Sequence, residues 1–200
     1  MMSGFLQKVR TVYWKCINII SLVRNGVVYT HSTRLYGHVF IRVDSKERLN
    51  PSIVLGNDMT INSGQKYNPI GGDSCTILRT VGNGKIKIGD RVGISNAAIV
   101  AFSDISIGND VLIGGGVKIY DSDFHSLSYS DRITDPYLNI RTKPIKIEDG
   151  AFIGANTIIL KGVTIGKRSV VGAGSVVREN IPDDEIWAGN PAKFIRRCNK

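Results

Sequence analysis

The chain has 200 residues, 42% of them hydrophobic, and a formal net charge of +9. That length suits one domain with a sizeable core, and no stretch reaches the ~18 uninterrupted apolar residues of a membrane span. Its three cysteines, Cys16, Cys75 and Cys198, are too few and too scattered for a disulfide framework or a zinc site, which favours a reducing, cytoplasmic setting.

The opening MMSGFLQKVR sets two cations among apolar residues and has no long apolar core followed by a small-residue cleavage site, so no secretory leader is expected. Residues 4–24 bring Phe5, Leu6, Val9, Val12, Tyr13, Cys16, Ile17, Ile20 and Val23 to helical spacing, with Lys8, Arg10, Lys15 and Arg24 among them. This spacing predicts an amphipathic helix ending near Asn25–Gly26. Its expected role is packing against the rest of the chain or a neighbouring subunit. A basic amphipathic helix can also lie weakly on an anionic membrane surface. Residues 35–62 carry irregular six-residue spacings, Leu35 to Ile41 and Leu55 to Ile61. Residues 63–84, with SGQKYNPIGGDS, read as a loop.

From Ile86 a hexad rhythm takes over. Ile88, Ile94 and Val100 form one run, Ile107, Ile113 and Ile119 a second, and Ile147, Ile153, Ile159, Ile165, Val171 and Val177 a third. Neither a helix (period 3.6) nor an alternating strand (period 2) gives this spacing. A coil of short parallel strands does, each hexad forming one side of a prism whose turns stack at about 4.8 Å. The β-branched residue points inward. Ala151, Thr157, Val163, Ser169 and Ser175 fill the crowded corners, and Gly154, Gly166 and Gly172 sit where the backbone bends. A one-residue phase slip between Val100 and Ile107 predicts a bulge or short insertion. The longer lapse between Ile119 and Ile147 predicts an extruded loop, a usual place for binding residues, and it holds His125. After Val177 the stretch IPDDEIWAGNPAKFIRRCNK breaks the repeat and is expected to cover the open end of the coil. The chain thus reads as one domain, 1–200: a helix over 1–26, a coil over 35–119 and 147–178, a loop over 120–146 and a C-terminal cap over 179–200.

Much of the positive charge lies in or just after the coil, at Lys161, Lys167, Arg168, Arg178, Lys193, Arg196 and Arg197. Solvated faces account for part of it, and the rest suits an anionic small ligand. Nucleic acid is the least favoured partner, since no basic stripe with aromatics on a recognisable module is present.

IGANTIILKGVTIGKRSVVGAGSVV followed by AGNPAKFIRR, with YDSDFHSL upstream, resembles the hexapeptide-repeat O-acetyltransferases, above all the bacterial capsule and exopolysaccharide acetyltransferases and their maltose and galactoside relatives. The resemblance covers roughly residues 80–197. It implies an all-β solenoid, a left-handed parallel β-helix, although crossovers elsewhere are right-handed. It implies acetyl-CoA as donor, a sugar or polysaccharide acceptor and a homotrimer in which one subunit's loop covers the next subunit's groove. In this family a loop histidine takes the proton of the acceptor hydroxyl as it attacks the thioester, with no acyl-enzyme. A hydroxyl is a poor nucleophile at neutral pH, so a base that titrates near neutrality suits the task. His125 matches that base. Asp121 and Asp123 would orient the ring or hold acceptor hydroxyls, or else only solubilise the loop, and Asn96 aligns, after a one-residue gap, with an asparagine that contacts the acceptor or the reacting centre. For the cofactor the match carries over Ala155, Ala173, Arg178, Lys193 and Arg196: small residues let the pantetheine lie flat, and cations meet the phosphates. Relatives often have Arg where Lys193 stands, which would reduce a bidentate contact to a point charge.

Two other classes stay in view. A zinc hydratase on the same coil needs three histidine ligands, and His31 and His38 lie outside the regular turns, so no metal is expected; D-x-D-x-H alone lacks a partnering cluster. A non-catalytic sugar-binding or scaffold solenoid would have no use for a DFH loop joined to a basic tail. Cys75 as nucleophile has no histidine near it in sequence to activate it.

Overall fold

The structure is a computed structural model that describes residues 2–44, 51–72 and 74–198, with side chains from Val9 onward. Its body is a prism of three parallel sheets. The first face stacks β1 (Arg34–Tyr36), β4 (Thr60–Asn62), β7 (Gly93–Ser95), β10 (Leu112–Ile113), β13 (Phe152–Ile153), β16 (Val170–Val171) and β18 (Glu185–Gly189). The second stacks β2 (Val39–Val43), β5 (Thr76–Thr80), β8 (Ala98–Ala101), β11 (Lys118–Tyr120), β14 (Ile158–Ile159) and β17 (Val176–Val177). The third stacks β3 (Ile53–Leu55), β6 (Lys85–Ile88), β9 (Asp104–Ile107), β12 (Ile145–Ile147) and β15 (Thr164–Ile165).

Hexads account for this shape. Ile113, Ile153 and Val171 stack in register on the first face, Ile119, Ile159 and Val177 on the second, and Ile107, Ile147 and Ile165 on the third. All nine are buried, and so are the corner residues Ala151, Thr157, Val163, Ser169 and Ser175. Burial of these β-branched side chains drives the coil. Gly154 bends where a Cβ would come within 2.5 Å of the Ala173 amide nitrogen, so only glycine lets adjacent coils approach there.

Two sequence expectations need correction. Val100 is not an inward anchor: it is half-buried, while Ile99 is fully buried and pairs with Ile119. The hexad from Ile94 is therefore one residue short at the Asn96 corner, and the surplus falls at Phe102–Ser103. Residues 63–84 are also not all loop. β5 runs through them, with Thr76, Leu78 and Thr80 inward and Leu78 in register with Ile41 and Ile99. A strand with threonine and leucine inward carries no Ile/Val hexad signal.

Helix α1 (Met2–Arg24) lies against β1 and β2. Phe5, Leu6 and Lys8 of the expected pattern have side chains outside the described residues. The rest of that apolar pattern is turned away from the coil, the first of the two packing partners expected for it. Asn18 and Leu22 are buried, whereas Val12, Ile20 and Val23 are 60%, 60% and 64% exposed. The reason is the free edge of β2, the outermost strand of its sheet. The Asn18 amide donates to the Gly37 carbonyl (2.7 Å) and accepts from the Val39 N–H (3.1 Å). Asn25 donates to the Ile41 carbonyl (3.2 Å) and accepts from the Val43 N–H (3.0 Å). Each amide takes the two backbone groups that a further parallel strand would have taken, satisfying groups that are costly to leave unpaired. Among the described residues no helix is long and apolar enough to cross a membrane. At the other end, β18 turns back into β19 (Ala192–Arg197), which pairs with it antiparallel where the cap is expected; Asn199 and Lys200 of that cap lie outside the described residues.

Candidate active site

The long loop leaves the prism after β11 and returns at β12, on the edge between the second and third faces. Its two stems are tied together. Lys143 N–H donates to the Asp121 carbonyl (2.9 Å), and Ser122 and Thr142 form an antiparallel bridge. Asp121 is fully buried, and its carboxylate accepts the N–H groups of Phe102 (2.7 Å) and Ser103 (2.8 Å). Burial pushes its carboxyl above the ordinary value, and the Phe102 and Ser103 amides pull it partly back. Both oxygens are committed to the widened corner below the loop. Asp121 therefore anchors the loop and does not reach toward an acceptor or the His125 ring, as the sequence reading allowed.

Asp123 pairs with Lys161 through one carboxylate oxygen, and its other oxygen, Oδ2, is buried with no hydrogen-bond partner. Phe124 has a left-handed backbone (φ 61°) and packs edge-on against both Tyr120 and Phe102, at centroid distances of 5.1 and 5.6 Å. An aromatic pinned in that conformation turns the chain sharply, and His125 follows on the exposed side. The His125 N–H reaches back to the Asp123 carbonyl (2.7 Å), while ring Nδ1 lies 2.8 Å from the Pro136 carbonyl oxygen. A carbonyl can only accept, so Nδ1 carries the proton and Nε2 is left as a base. Tyr137 lies beside the ring, centroids 6.1 Å apart. The return of the loop is ordered by α2 (Tyr129–Thr134) and by Asp131, which accepts from Ser126 Oγ (2.7 Å) and Asn139 (3.1 Å). Those two donors hold the Asp131 carboxyl below its ordinary value.

The cofactor residues of the sequence reading divide between two edges. On the edge between the first and second faces Asn96, Gly115, Ala155 and Ala173 form one column, linked rung to rung by Gly116 N–H to Asn96 O, Asn156 N–H to Gly115 O and Gly174 N–H to Ala155 O. Ala155 is half-buried and Ala173 exposed, a strip with no long side chain of its own. Asn96 is consumed by structure. Its oxygen accepts from Gly64 N–H (2.6 Å) and its amide donates to Asn68 O (2.8 Å), which fastens the 63–72 segment to the coil. Gly71 crosses so near that a Cβ there would meet the Asn96 Cβ at 2.4 Å. The expected acceptor contact of Asn96 is thus not available in this arrangement.

Arg178 lies on the His125 edge, two coils along. It approaches Glu179 at 3.5 Å, and Lys193 approaches the same carboxylate at 3.5 Å. Arg196 is on the same strand as Lys193, opposite Ile186, and donates to the Arg197 carbonyl (3.1 Å). His125 and Asp123 therefore share an edge with Arg178, and Lys193 joins them through Glu179. Ala155 and Ala173 stand on the neighbouring edge with the second face between. Lys161 and Pro136 were not singled out by sequence reasoning as site residues. Lys161 was findable, because the Ile119–Ile159 register sets it one coil from the loop's base. Pro136 acts through its backbone and leaves no sequence signal.

Asp121→Asn keeps the shape but turns an NH2 group toward a backbone N–H. Equilibrium urea unfolding should show a loss of about 1–3 kcal/mol.

Residues 144–179 match the family model described as the hexapeptide repeat of succinyl-transferase. The chain is 33% identical over 149 residues to an Escherichia coli protein named as a lipopolysaccharide biosynthesis O-acetyl transferase, WbbJ, covering 72% of this chain and 74% of that one. It is 39% identical over 104 residues to a galactoside O-acetyltransferase of Lactococcus lactis, covering 52% of this chain and 48% of that one, so it spans about half of that relative's length. Among solved structures it is similar to a hexapeptide-repeat-containing acetyltransferase of Vibrio cholerae complexed with acetyl coenzyme A, at 26% identity and a TM-score of 0.52, covering 87% of this chain and 69% of the other. These neighbours and the three parallel sheets fit a left-handed β-helix.

Proposed function

This chain belongs to the hexapeptide-repeat acetyltransferase family, and from that premise we propose that it transfers acetyl from acetyl-CoA to a hydroxyl of a sugar or polysaccharide precursor. The observation that carries this reading is the Nδ1 contact of His125 with the Pro136 carbonyl, which fixes the tautomer a general base requires. His125 Nε2 accepts the hydroxyl proton while the hydroxyl oxygen bonds to the thioester carbonyl carbon. The C–S bond then breaks, and His125 returns the proton to the departing sulfur. The acceptor-orienting role falls to Asp123, whose Oδ2 has no hydrogen-bond partner although it is closed off from solvent in the single chain. Lys161 keeps that carboxylate in place.

The donor fits what the chain offers. The Ala155–Ala173 strip leaves room for a flat pantetheine, and Arg178, Lys193 and Arg196 supply positive charge for phosphates. Because His125 and the strip occupy different edges, one chain does not bring base and strip together. A threefold assembly in which the loop edge of one subunit meets the strip of the next would close the site. Light scattering should then give about three times the 21.9 kDa chain mass; a monomer of full activity would overturn the shared site.

The activity itself is tested by thiol release from acetyl-CoA in the presence of polysaccharide precursors, with mass spectrometry of the product. An ester labile to hydroxylamine is expected. An amide product would move the reaction to nitrogen, and no acetyl transfer to any glycan would remove the proposed function.

A further inference from the structure

Helix α1 is docked by its polar side. Asn18 and Asn25 hold the edge of β2, so the direction of the opposite side is fixed. That opposite side carries Val9 (50% exposed), Val12 (60%), Tyr13 (54%), Ile20 (60%) and Val23 (64%). On a helical wheel at 100° per residue these five, with the exposed Cys16, fall on one contiguous apolar sector. Arg10 and Arg24 flank it on one side and Lys15 on the other, and residues 2–24 contain no Asp or Glu. A cleft of about 440 Å³ opens beside the helix between Ile19, Leu35 and Tyr36, with Lys15, Arg34 and His31 in its lining and no carboxylate there.

We propose that this face is a docking surface for an anionic phospholipid bilayer, with α1 lying in the plane of the interface. An apolar stripe bordered by cations is what such a surface selects: the stripe enters the acyl boundary while the long basic side chains reach the head groups. Charge complementarity decides between this occupant and a second copy of the chain. A copy would present the same acid-free, cationic helix to itself on a molecule of net charge +9, whereas anionic lipid neutralises that charge. The orientation follows from the fold: the bilayer would lie across the N-terminal end of the prism, with the coils rising from it. This proposal does not depend on the acetyl-transfer reading.

The test is flotation of the full chain with vesicles of phosphatidylcholine containing phosphatidylglycerol, with pure phosphatidylcholine vesicles alongside. The wild-type chain is expected to float with the anionic vesicles alone and to be released by salt. Val12→Glu with Ile20→Glu should weaken binding at least about tenfold, while circular dichroism and melting temperature stay unchanged, because both side chains face away from the coil. His125→Ala should float like the wild type. Absence of wild-type flotation, or equal flotation of the double variant, overturns the proposal. So does a double variant whose only change is a smaller mass by light scattering, which would assign the face to a second copy.

Discussion

His125→Ala should lower kcat by about 10²–10⁴ while acetyl-CoA still binds and the melting temperature barely moves. Each part of that expectation has a physical source. The imidazole is exposed on a loop outside the prism, so removing it costs no core packing. Its expected contribution is chemical, through an acceptor nitrogen held in one tautomer by the Pro136 carbonyl. A variant that keeps more than about a tenth of wild-type turnover would make His125 a bystander. The proposed sharing of the site between subunits gives a second, independent readout. Chains carrying His125→Ala and chains carrying Ala173→Trp should each be inactive alone. Mixed before assembly, they should regain activity, because about one interface in four would then pair an intact loop with an intact strip. No recovery would confine the reaction to a single subunit.

Charge reversal at Lys193 and Arg196, both to Glu, should raise the KM for acetyl-CoA by about 10–100-fold and leave the acceptor KM nearly unchanged. Lys193 shares Glu179 with Arg178, so a glutamate at 193 would set two carboxylates against each other beside the remaining arginine. Phosphates approaching that corner would meet net repulsion in place of attraction. An acetyl-CoA KM equal to that of the wild type would remove both residues from the donor site.

The coil was legible because its cause is local. An inward β-branched residue every six positions has no other explanation, and the anchors from Ile147 to Val177 are all buried. The reading failed where the cause was not periodic. Val100 looked like an anchor because it preserved the spacing, but the Asn96 corner is a residue short and the inward side chains are Ile99 and Ala101. β5 went unread because threonine and leucine do the inward work there. Among the candidate site residues, His125 was visible through its interrupted flanks. Asp121 and Asn96 have the residue types of an acceptor site and are spent instead on backbone amides, a distinction that only three-dimensional partners make. The helix ends at Arg24 and turns its apolar side away from the coil: helical periodicity separates two sides without saying which one the rest of the chain needs.

Asn18 and Asn25 have a consequence for how copies of this chain avoid one another. A stack of parallel strands is an unfinished crystal in one dimension, and its last rung is a template for the next molecule's first. Two side-chain amides end that growth by standing in for the missing strand, and they do so without offering a continuing edge of their own. Chains stripped of residues 2–25 would leave the Gly37 and Ile41 carbonyls and the Val39 and Val43 N–H groups without these partners, and end-to-end filaments would become the economical way to fill them.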